Sequence, residues 1–485
     1  MLRHRRERFA GWFPLVIVVL FSPTIVLGEP VERVFQAGTA KVDITPKLGG
    51  WIIGGWEPIP AERVHDSLHV KCVVLDNGQA RLAFMVCDNL GIPRQVFDEA
   101  KRRISDTTGI PEQCQVMSAT HTHSSVSAGF DNRYAPDMQL TEYQMRLVEA
   151  MVQAAEAANG TLQPAQIGWS SIDVPEHVFN RRWFMKPDTP TPNPFGGTDL
   201  AVMNPGQNNP NLDRPAGPID PEVSFLSVRS VDGNPIALLA NYSLHYVGGV
   251  VKGELSADYF SLFGSRVMEL IADGKDSSPM VGIMTNGTSG DINNIHFGIK
   301  TERRPAYEQM QYVAYDLANR VAEAERQMTY HNWVPLAGAD AELVLKNRQP
   351  TAEQLARAKL VSERGEEIEL YHPHEPTYAR RVLQMQQMPP TQNIVLTSVR
   401  IGDLGIVTIP FEVLVEIGLE LKQRSPLGDT LVISLAGGSG GYLPNPKQHA
   451  YGGYETWLGT NVVEKQASVK IVEALLKLLK EVADS

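Results

Sequence analysis

Two histidines separated by one residue follow a short apolar segment of the sequence. The segment QVMSAT is typical of a strand, and His121 and His123 come directly after it. In an extended chain, side chains two residues apart point to the same side, so both imidazoles would face one point. Such a pair can supply ligands to a metal ion, or it can be a hydrogen-bonded structural pair.

Other polar side chains follow other predicted strands. His245 ends the strand-like segment ALLANYSL, at a position where α/β folds often carry active-site groups. Glu412 follows the apolar segment LGIVTIPF and begins a predicted helix, where an acidic residue is also common without any function. Tyr442 and Tyr454 lie in a glycine-rich loop whose backbone could approach a ligand closely. These residues form one site only if the fold brings them together.

The predicted elements that position these residues alternate between strands and helices. Between residues 34 and 120, β-rich segments alternate with turns and one helix-like segment, and amphipathic helices are predicted over 141–158 and 462–482. This pattern predicts an α/β fold with a mixed β-sheet core, flanking helices and a single large domain over 29–485. Residues 187–221, rich in Pro and Asn, lack periodicity and are predicted to be a functional loop insertion.

Composition and charge exclude some classes of protein. The chain has 485 residues, with 44 Lys and Arg against 55 Asp and Glu, which gives a net charge of −11. Basic residues are not clustered beyond the first ten positions, so a nucleic-acid partner is not expected. The three cysteines, Cys72, Cys87 and Cys114, lie in apolar segments and are interpreted as buried thiols, with one disulfide pair as the alternative.

The N-terminal segment 1–28 has the pattern of a secretory signal peptide. Arginines precede an apolar segment that contains prolines and is too short for a typical membrane span. Cleavage near Gly28 would produce a secreted or periplasmic protein, and an uncleaved segment would anchor the protein to a membrane.

A series of short motifs resembles the neutral/alkaline non-lysosomal ceramidases. In order, the motifs are AGTAKVDITP, SATHTHSS, NRRW, GPIDPEVSFLSVRS, NYSLHY, GTSGDIN, IPFEVLVEIG and GGYLPNP with GGYE, from about Gly38 to Trp457. The resemblance implies the N-terminal catalytic domain of this family. That domain is a zinc-dependent amidohydrolase, which cleaves the N-acyl amide bond of ceramide with metal-activated water.

The resemblance also implies roles for individual residues. Matched by motif, the zinc ligands are His121, His245, Glu412 and Tyr442. His123 would transfer a proton to the leaving amine, and Arg181 and Tyr454 would bind the carbonyl oxygen.

The sequence departs from the family pattern at several points. Asn293 stands where ceramidases carry a serine in a G-D-x-S-P-N phrase, which excludes a serine nucleophile at this position but not metal-dependent hydrolysis. The segment 125–128 replaces a glycine-proline run, and with the last residue at Ser485 the family's C-terminal β-sandwich domain is expected to be absent. Ceramide specificity is therefore an open question.

The sequence supports one main interpretation with two alternatives. The main one is a secreted zinc hydrolase of ceramide or a related N-acyl lipid, with peripheral membrane contact as an option. The same fold could instead act on another amide or ester, for example a sugar-linked one, or serve as an inactive binding protein.

Asp88 and Asp291 could orient a ligand histidine or cap turns. Four histidines outside the motifs are interpreted as surface or core residues: His65, His69, His372 and His374.

Overall fold

The structure is a computed structural model in which the described residues are 1–2, 7–8, 10–12, 33–130, 132–134, 139–274, 280–364 and 367–485. Most of the predicted signal segment 1–28 lies outside these residues. Val34–Ser485 forms one compact unit. Within the described part of the chain, no helix has both the length and the apolar character needed to cross a membrane.

The described helices and strands follow the predicted alternation. The helices are α1 (Arg94–Thr108), α2 (Glu142–Gly160), α3 (Asp258–Ala272), α4 (Glu308–Glu325), α5 (Ala352–Arg364), α6 (Glu375–Met385), α7 (Val415–Arg424), α8 (Pro446–Tyr451) and α9 (Ala467–Ala483). The strands are β1 (Gln36–Asp43), β2 (Trp51–Ile52), β3 (Ile59–Pro60), β4 (Arg63–Val64), β5 (His69–Asp76), β6 (Arg81–Cys87), β7 (Gln115–Ala119), β8 (Gln163–Asp173), β9 (Phe179–Asn180), β10 (Arg182–Met185), β11 (Ala201–Met203), β12 (Leu212–Pro215), β13 (Glu222–Ser230), β14 (Pro235–Tyr242), β15 (Glu254–Leu255), β16 (Val281–Asn286), β17 (Ile292–Asn293), β18 (Leu336–Lys346), β19 (Thr391–Ile401), β20 (Leu404–Ile409), β21 (Glu412–Val413), β22 (Asp429–Ser434) and β23 (Tyr442–Leu443).

The main sheet has eight strands in the order β16-β14-β13-β8-β1-β5-β6-β7. The pairs β14/β16 and β6/β7 are parallel, and the other neighbours are antiparallel. Every residue of β14 is buried, as is typical of a strand that is covered on both faces. The sheet is therefore mixed, as the sequence predicted.

The main sheet folds back on itself. The strand β16 at one end of the strand order contacts β5 and β7 at the other end. Twist accumulates from strand to strand, which allows a wide sheet to curl in this way. As a consequence, the segments that follow β7 and β14 meet, and these segments carry His121 and His245.

A second sheet, β18-β19-β20-β22, packs beside the first. The long strands β18 and β19 pair antiparallel, and α9 covers β18, β19 and β20. The backbone of Ser118 in β7 bridges to Ala436, which follows β22. The second sheet thereby holds the segments that carry Glu412 and Tyr442 against the end of β7.

Helices cover the outer faces of the main sheet. The helix α2 packs on β1 and β5 and also contacts α1, and α3 packs on β14 and β16 and also contacts α4. The helix α2 begins with a capping box in which Thr141 and Gln144 exchange hydrogen bonds between side chain and backbone. The predicted α/β class, with a mixed sheet, flanking helices and one large domain, is confirmed.

The Pro- and Asn-rich segment 187–221 contains regular structure that its sequence does not predict. Its strands β11 and β12 both pair with β10, which lies just before the segment. Local periodicity could not indicate these strands, because their hydrogen-bond partners lie outside the segment. The segment therefore contributes two strands, joined by loops, to a three-stranded sheet with β10 at its centre.

All three cysteines are free and buried, which agrees with their interpretation as buried thiols. Burial raises the pKa of the Cys114 thiol to about 11. The same cause raises the pKa of Cys72 and Cys87 still further. These thiols are therefore inert at neutral pH.

A close contact between two glycines sets how α3 packs on β16. A Cβ atom at Gly264 in α3 would overlap the backbone carbonyl of Gly282 in β16. We expect Gly264→Ala to destabilise the protein by about 1–3 kcal/mol because helix and strand must separate. As a control, Gly160→Ala places its Cβ in open space at the end of α2 and should be neutral or slightly stabilising. Urea denaturation measures both changes, and equal stability of the two variants would contradict this packing argument.

Candidate metal centre

The first candidate ligand, His121, has an unusual backbone conformation. Its φ angle is 75°, in the left-handed region that non-glycine residues rarely adopt. Its backbone N–H donates to the carbonyl of Asn89 at 2.9 Å, and its Nδ1 lies 2.6 Å from the carbonyl oxygen of Leu90. The expectation of an extended H-x-H pair is therefore wrong, because the loop after β6 fixes the His121 ring through a strained turn.

The second candidate ligand, His245, follows β14 and is 1% exposed. Its Nδ1 lies 3.0 Å from the carbonyl oxygen of Ser289, which follows β16. A carbonyl oxygen can only accept a hydrogen bond, so the Nδ1 atoms of both His121 and His245 carry the hydrogen. The Nε2 atom of each ring therefore has a free lone pair.

These free lone pairs point to one place. The two Nε2 atoms of His121 and His245 are 3.0 Å apart, and the Nε2 of His123 is 3.2 Å from that of His121. The Oε2 atom of Glu412 lies 3.3 Å from His121 Nε2 and 3.9 Å from His245 Nε2. This oxygen is buried and accepts no hydrogen bond of normal geometry.

The space between these nitrogen and oxygen atoms is suited to a bound cation. The ligand atoms of His121, His123 and His245 all lie within 4.8 Å of one another. Bare nitrogen lone pairs and a carboxylate oxygen repel one another when they are buried together, and a bound cation removes this repulsion. Imidazole nitrogens with a carboxylate oxygen are a donor set that zinc accepts.

Burial controls the protonation of this cluster. It lowers the pKa of His245 and of His123 well below the usual histidine value. For Glu412, burial alone would raise the pKa, but the hydrogen bond from Tyr442 and the charge of Arg181 help to hold it below its usual value. At neutral pH His123 and His245 are therefore neutral and Glu412 is ionised, which is the state that metal ligands require.

Glu412 and Tyr442 are placed side by side by a short parallel pairing. Residues of β21 and β23 pair directly, with Glu412 opposite Tyr442, and the backbone N–H of Glu412 donates to the Gly441 carbonyl at 2.8 Å. Glu412 was expected at the start of a helix, but it lies three residues before the first residue of α7. The Tyr442 hydroxyl accepts a hydrogen bond from Arg181 at 3.0 Å, and burial raises its pKa.

The guanidinium of Arg181 is held in a buried ionic network. Arg181 is 5% exposed, and its Nε donates to Glu455 at 3.0 Å. The other carboxylate oxygen of Glu455 accepts a hydrogen bond from Arg182, which is fully buried. Burial would lower the pKa of Arg181, but Tyr442 and Glu455 keep it above the usual arginine value. Arg181 therefore stays charged and is oriented toward Tyr442.

Tyr454 connects the histidine cluster to a pocket. Its ring lies 5.4 Å from that of Tyr442 and 5.5 Å from that of Trp56, between ring centroids. The pocket has a volume of about 370 Å³ and is lined by Trp56, Pro190, Thr191, Pro192, Asp199, Ala201, Val202, Met203, Asn204, His372, His374, Gly453, Tyr454 and Trp457. We call it the Trp56 pocket. Its volume lies in the range of small-molecule sites, and residues of segment 187–221 form one wall.

The structure brings the predicted site residues into one neighbourhood. These residues are His121, His123, His245, Arg181, Glu412, Tyr442 and Tyr454. Their geometry is compatible with a proton-transfer role and with a ligand role for His123, because its Nε2 lies 3.2 Å from His121 Nε2, against 3.0 Å for that of His245. Glu455 was missed because no sequence signal separates a buried ion-pair acid from a surface one. His372 and His374 were interpreted as surface or core residues, yet they line the Trp56 pocket.

Of the two acids noted in the sequence, Asp291 links two segments of the site. Asp291 accepts hydrogen bonds from Asn180 and from the backbone of Val415, and so links the segment of Arg181 to that of Glu412. Burial raises the pKa of Asp291 to about 6. Asp88 accepts from the backbone of His69 at 3.0 Å.

Asn293 connects the site to the inserted segment. Its side-chain amide donates to the Asn204 side chain at 3.0 Å, and Asn204 lines the Trp56 pocket. The residue that replaces the family serine is therefore a support for the pocket wall.

The folded-over sheet and its buried cluster define an α/β protein with a candidate metal centre beside a small-molecule pocket. No protein-family model matches the sequence, and no curated protein matches it. Two solved structures share the fold. Neutral ceramidase from Pseudomonas aeruginosa aligns with a TM-score of 0.66 and 16% identity, over 93% of this chain and 74% of that one. A ceramidase complexed with C2 aligns with a TM-score of 0.66 and 14% identity, over 93% of this chain and 76% of that one. The chain therefore has the fold of neutral ceramidase, as the resemblance implied.

The buried pair of arginines provides a test of the Glu455 network. Glu455→Gln keeps the side-chain shape but leaves two buried guanidinium groups without a compensating charge. We expect a loss of about 3–5 kcal/mol in the free energy of unfolding, because breaking a buried ion pair strands its partner. The exposed Glu269→Gln, which breaks a surface pair with Arg266, should change stability by less than about 1 kcal/mol. Equal losses in the two variants, measured by chemical denaturation, would contradict this account.

Proposed function

We propose that this protein is a zinc-dependent hydrolase of N-acyl amides that belongs to the neutral ceramidase family. The observation that carries the proposal is the convergence of the Nε2 lone pairs of His121 and His245 and the unpaired Glu412 oxygen beside the Trp56 pocket. The fold shared with neutral ceramidase supports ceramide or a related N-acyl lipid as the substrate class.

The proposed ligand set is the one that the family resemblance implied. In this proposal His121, His245, Glu412 and Tyr442 hold the zinc ion, with the Nε2 of His123 close by. When bound, zinc lowers the pKa of a coordinated water to about 7 and polarises a carbonyl group, which makes amide hydrolysis accessible at neutral pH. The hydrogen bonds from Nδ1 of His121 and His245 to carbonyl oxygens keep both Nε2 atoms available as ligands.

The remaining residues supply charge stabilisation and proton transfer. Arg181, fixed by Glu455, places a permanent positive charge beside Tyr442, where negative charge develops on the carbonyl oxygen of a bound amide. Tyr454 can donate a hydrogen bond from its hydroxyl to the same oxygen, since burial raises its pKa and keeps it protonated. His123 is neutral at pH 7 and can accept a proton and pass it to the leaving amine.

A second candidate keeps the fold and the metal but changes the substrate. The Trp56 pocket contains polar side chains as well as aromatic ones, among them Asp199, Asn204 and His372. These groups favour a non-ceramide amide or ester, for example a sugar-linked one. In either case we propose that segment 1–28 directs export of the protein, and that a lipid substrate would involve peripheral contact with a membrane.

The proposal is tested by comparing metal content and turnover in the full chain. A His121→Ala/His245→Ala variant removes two facing Nε2 atoms, so bound zinc measured by elemental analysis should fall from stoichiometric to background. Hydrolysis of a fluorogenic ceramide should fall to background in parallel and should be abolished by a chelator. His331→Ala serves as the control, because His331 is exposed and stacks on Trp169 away from the cluster.

Each outcome distinguishes between the candidates. Zinc and chelator-sensitive turnover of ceramide in the parent protein, both lost in the variant, support the first candidate. Zinc without ceramide turnover contradicts it and supports a search among other amides and esters. A folded parent protein that binds no zinc contradicts the hydrolase proposal and favours a binding protein on the same fold.

A further inference from the structure

Aromatic rings and polar side chains both line the Trp56 pocket, and a purely alkyl ligand would not require the polar ones. Aromatic rings of Trp56, Tyr454 and Trp457 line it together with the polar side chains of Asp199 and His372. The pocket also adjoins the metal cluster at two points: Tyr454 contacts Tyr442, and a Cβ on Gly54, two residues before Trp56, would overlap His123. The pocket therefore lies next to the metal cluster.

The carboxylate of Asp199 is the strongest polar group of the pocket. It accepts hydrogen bonds from the indole N–H of Trp457 at 2.6 Å and from the side-chain amide of Asn193 at 3.0 Å. Both donors are neutral, so these contacts leave its negative charge uncompensated. A carboxylate can accept about four hydrogen bonds, so Asp199 retains capacity for donors from a ligand.

The two histidines of the pocket are also suited to polar contacts. Burial lowers the pKa of His372 and of His374 below the usual value, so both rings are neutral at pH 7. The Nδ1 of His372 accepts a hydrogen bond from the backbone N–H of His374 at 3.1 Å, so its Nε2 carries the hydrogen and can donate to a ligand. The neutral ring of His374 offers one donor and one acceptor. Asp199 as an acceptor and the imidazoles as donors thus form a set that pairs with hydroxyl groups, which both donate and accept.

The aromatic rings are held in fixed orientations. Trp56 stacks on His374 with ring centroids 3.6 Å apart and planes 8° apart, and 42% of its surface remains exposed. Tyr454 meets Trp56 edge to face. A rigid exposed indole presents a flat apolar surface against which the C–H face of a ring can pack.

We propose that the Trp56 pocket binds a hydroxyl-bearing ring that is joined to the reacting amide, as in an N-acyl amino sugar. This inference rests on the proposed function, because the ring must be attached to the bond that the metal centre cleaves. An alkyl chain in the pocket would displace water from Asp199 and His372. It could not replace the hydrogen bonds that the water makes to these residues, so its binding is unfavourable. An anionic group would be repelled by Asp199. Hydroxyl groups satisfy these residues, and the volume of about 370 Å³ is small for a lipid with two chains.

The test compares the affinities of matched small ligands for the zinc-loaded full chain. N-acetylglucosamine, N-cyclohexylacetamide and N-hexylacetamide share the acetamide and differ in having a hydroxylated ring, a bare ring or a chain. Isothermal titration calorimetry should show N-acetylglucosamine binding on the order of tenfold more tightly than the other two, because charge-assisted hydrogen bonds to Asp199 exist only there. Equal affinities, or tighter binding of N-hexylacetamide, would overturn the inference.

Variants localise the preference to the pocket. Asp199→Asn should bring the affinity for N-acetylglucosamine close to that for N-cyclohexylacetamide. The variant Asp232→Asn, in an exposed turn, should leave the difference between these two affinities unchanged. Trp56→Ala should weaken binding of N-acetylglucosamine, while Trp51→Ala, which removes an exposed indole outside the pocket, should not. If the preference persisted in both pocket variants, the ring would bind elsewhere and the inference would be wrong.

Hydrolysis is measured separately so that the two proposals can fail independently. Tight binding of N-acetylglucosamine without release of glucosamine supports the pocket assignment and contradicts the amide hydrolase. Turnover of ceramide with no preference for N-acetylglucosamine supports the hydrolase and overturns the pocket assignment.

Discussion

The site depends on one electrostatic constraint: nitrogen lone pairs and a carboxylate oxygen face one another in a buried space. Both His121 and His245 use Nδ1 to donate to a backbone carbonyl, so neither Nε2 carries a hydrogen toward the other across 3.0 Å. Glu412 adds a negative oxygen at 3.3 Å from His121. Without a cation these groups repel, and with one they become ligands.

The rest of the fold supplies the force that holds these groups together. The main sheet folds back so that β16 meets β7, and the second sheet brings Glu412 and Tyr442 to the same end. Asp291 links the segment of Arg181 to the segment of Glu412 through buried hydrogen bonds. The left-handed backbone of His121 is a further cost that the surrounding packing must offset. Hydrophobic burial in the two sheets stabilises a local arrangement that would be unstable alone.

How far the sequence predicts this arrangement depends on the range of the interactions. The mixed α/β class and the strand before His121 follow from local periodicity, so they could be predicted. The meeting of His121 and His245 depends on the folding of an eight-stranded sheet, which local patterns do not encode; only the order of family-like motifs pointed to it. Glu455 and the pocket histidines His372 and His374 could not be identified, because their partners are distant in sequence. The short strands β11 and β12 were missed for the same reason.

X-ray absorption spectroscopy at the zinc edge is the decisive measurement for the histidine cluster, because it reports the ligand atoms of the bound metal without reference to any substrate. We predict a shell of nitrogen and oxygen atoms only, at about 2.0–2.1 Å, with the multiple-scattering pattern of at least two imidazoles. That pattern should disappear from the spectrum of any residual zinc in the His121→Ala/His245→Ala variant. A sulfur shell near about 2.3 Å, or a zinc spectrum without imidazole scattering, would contradict the account.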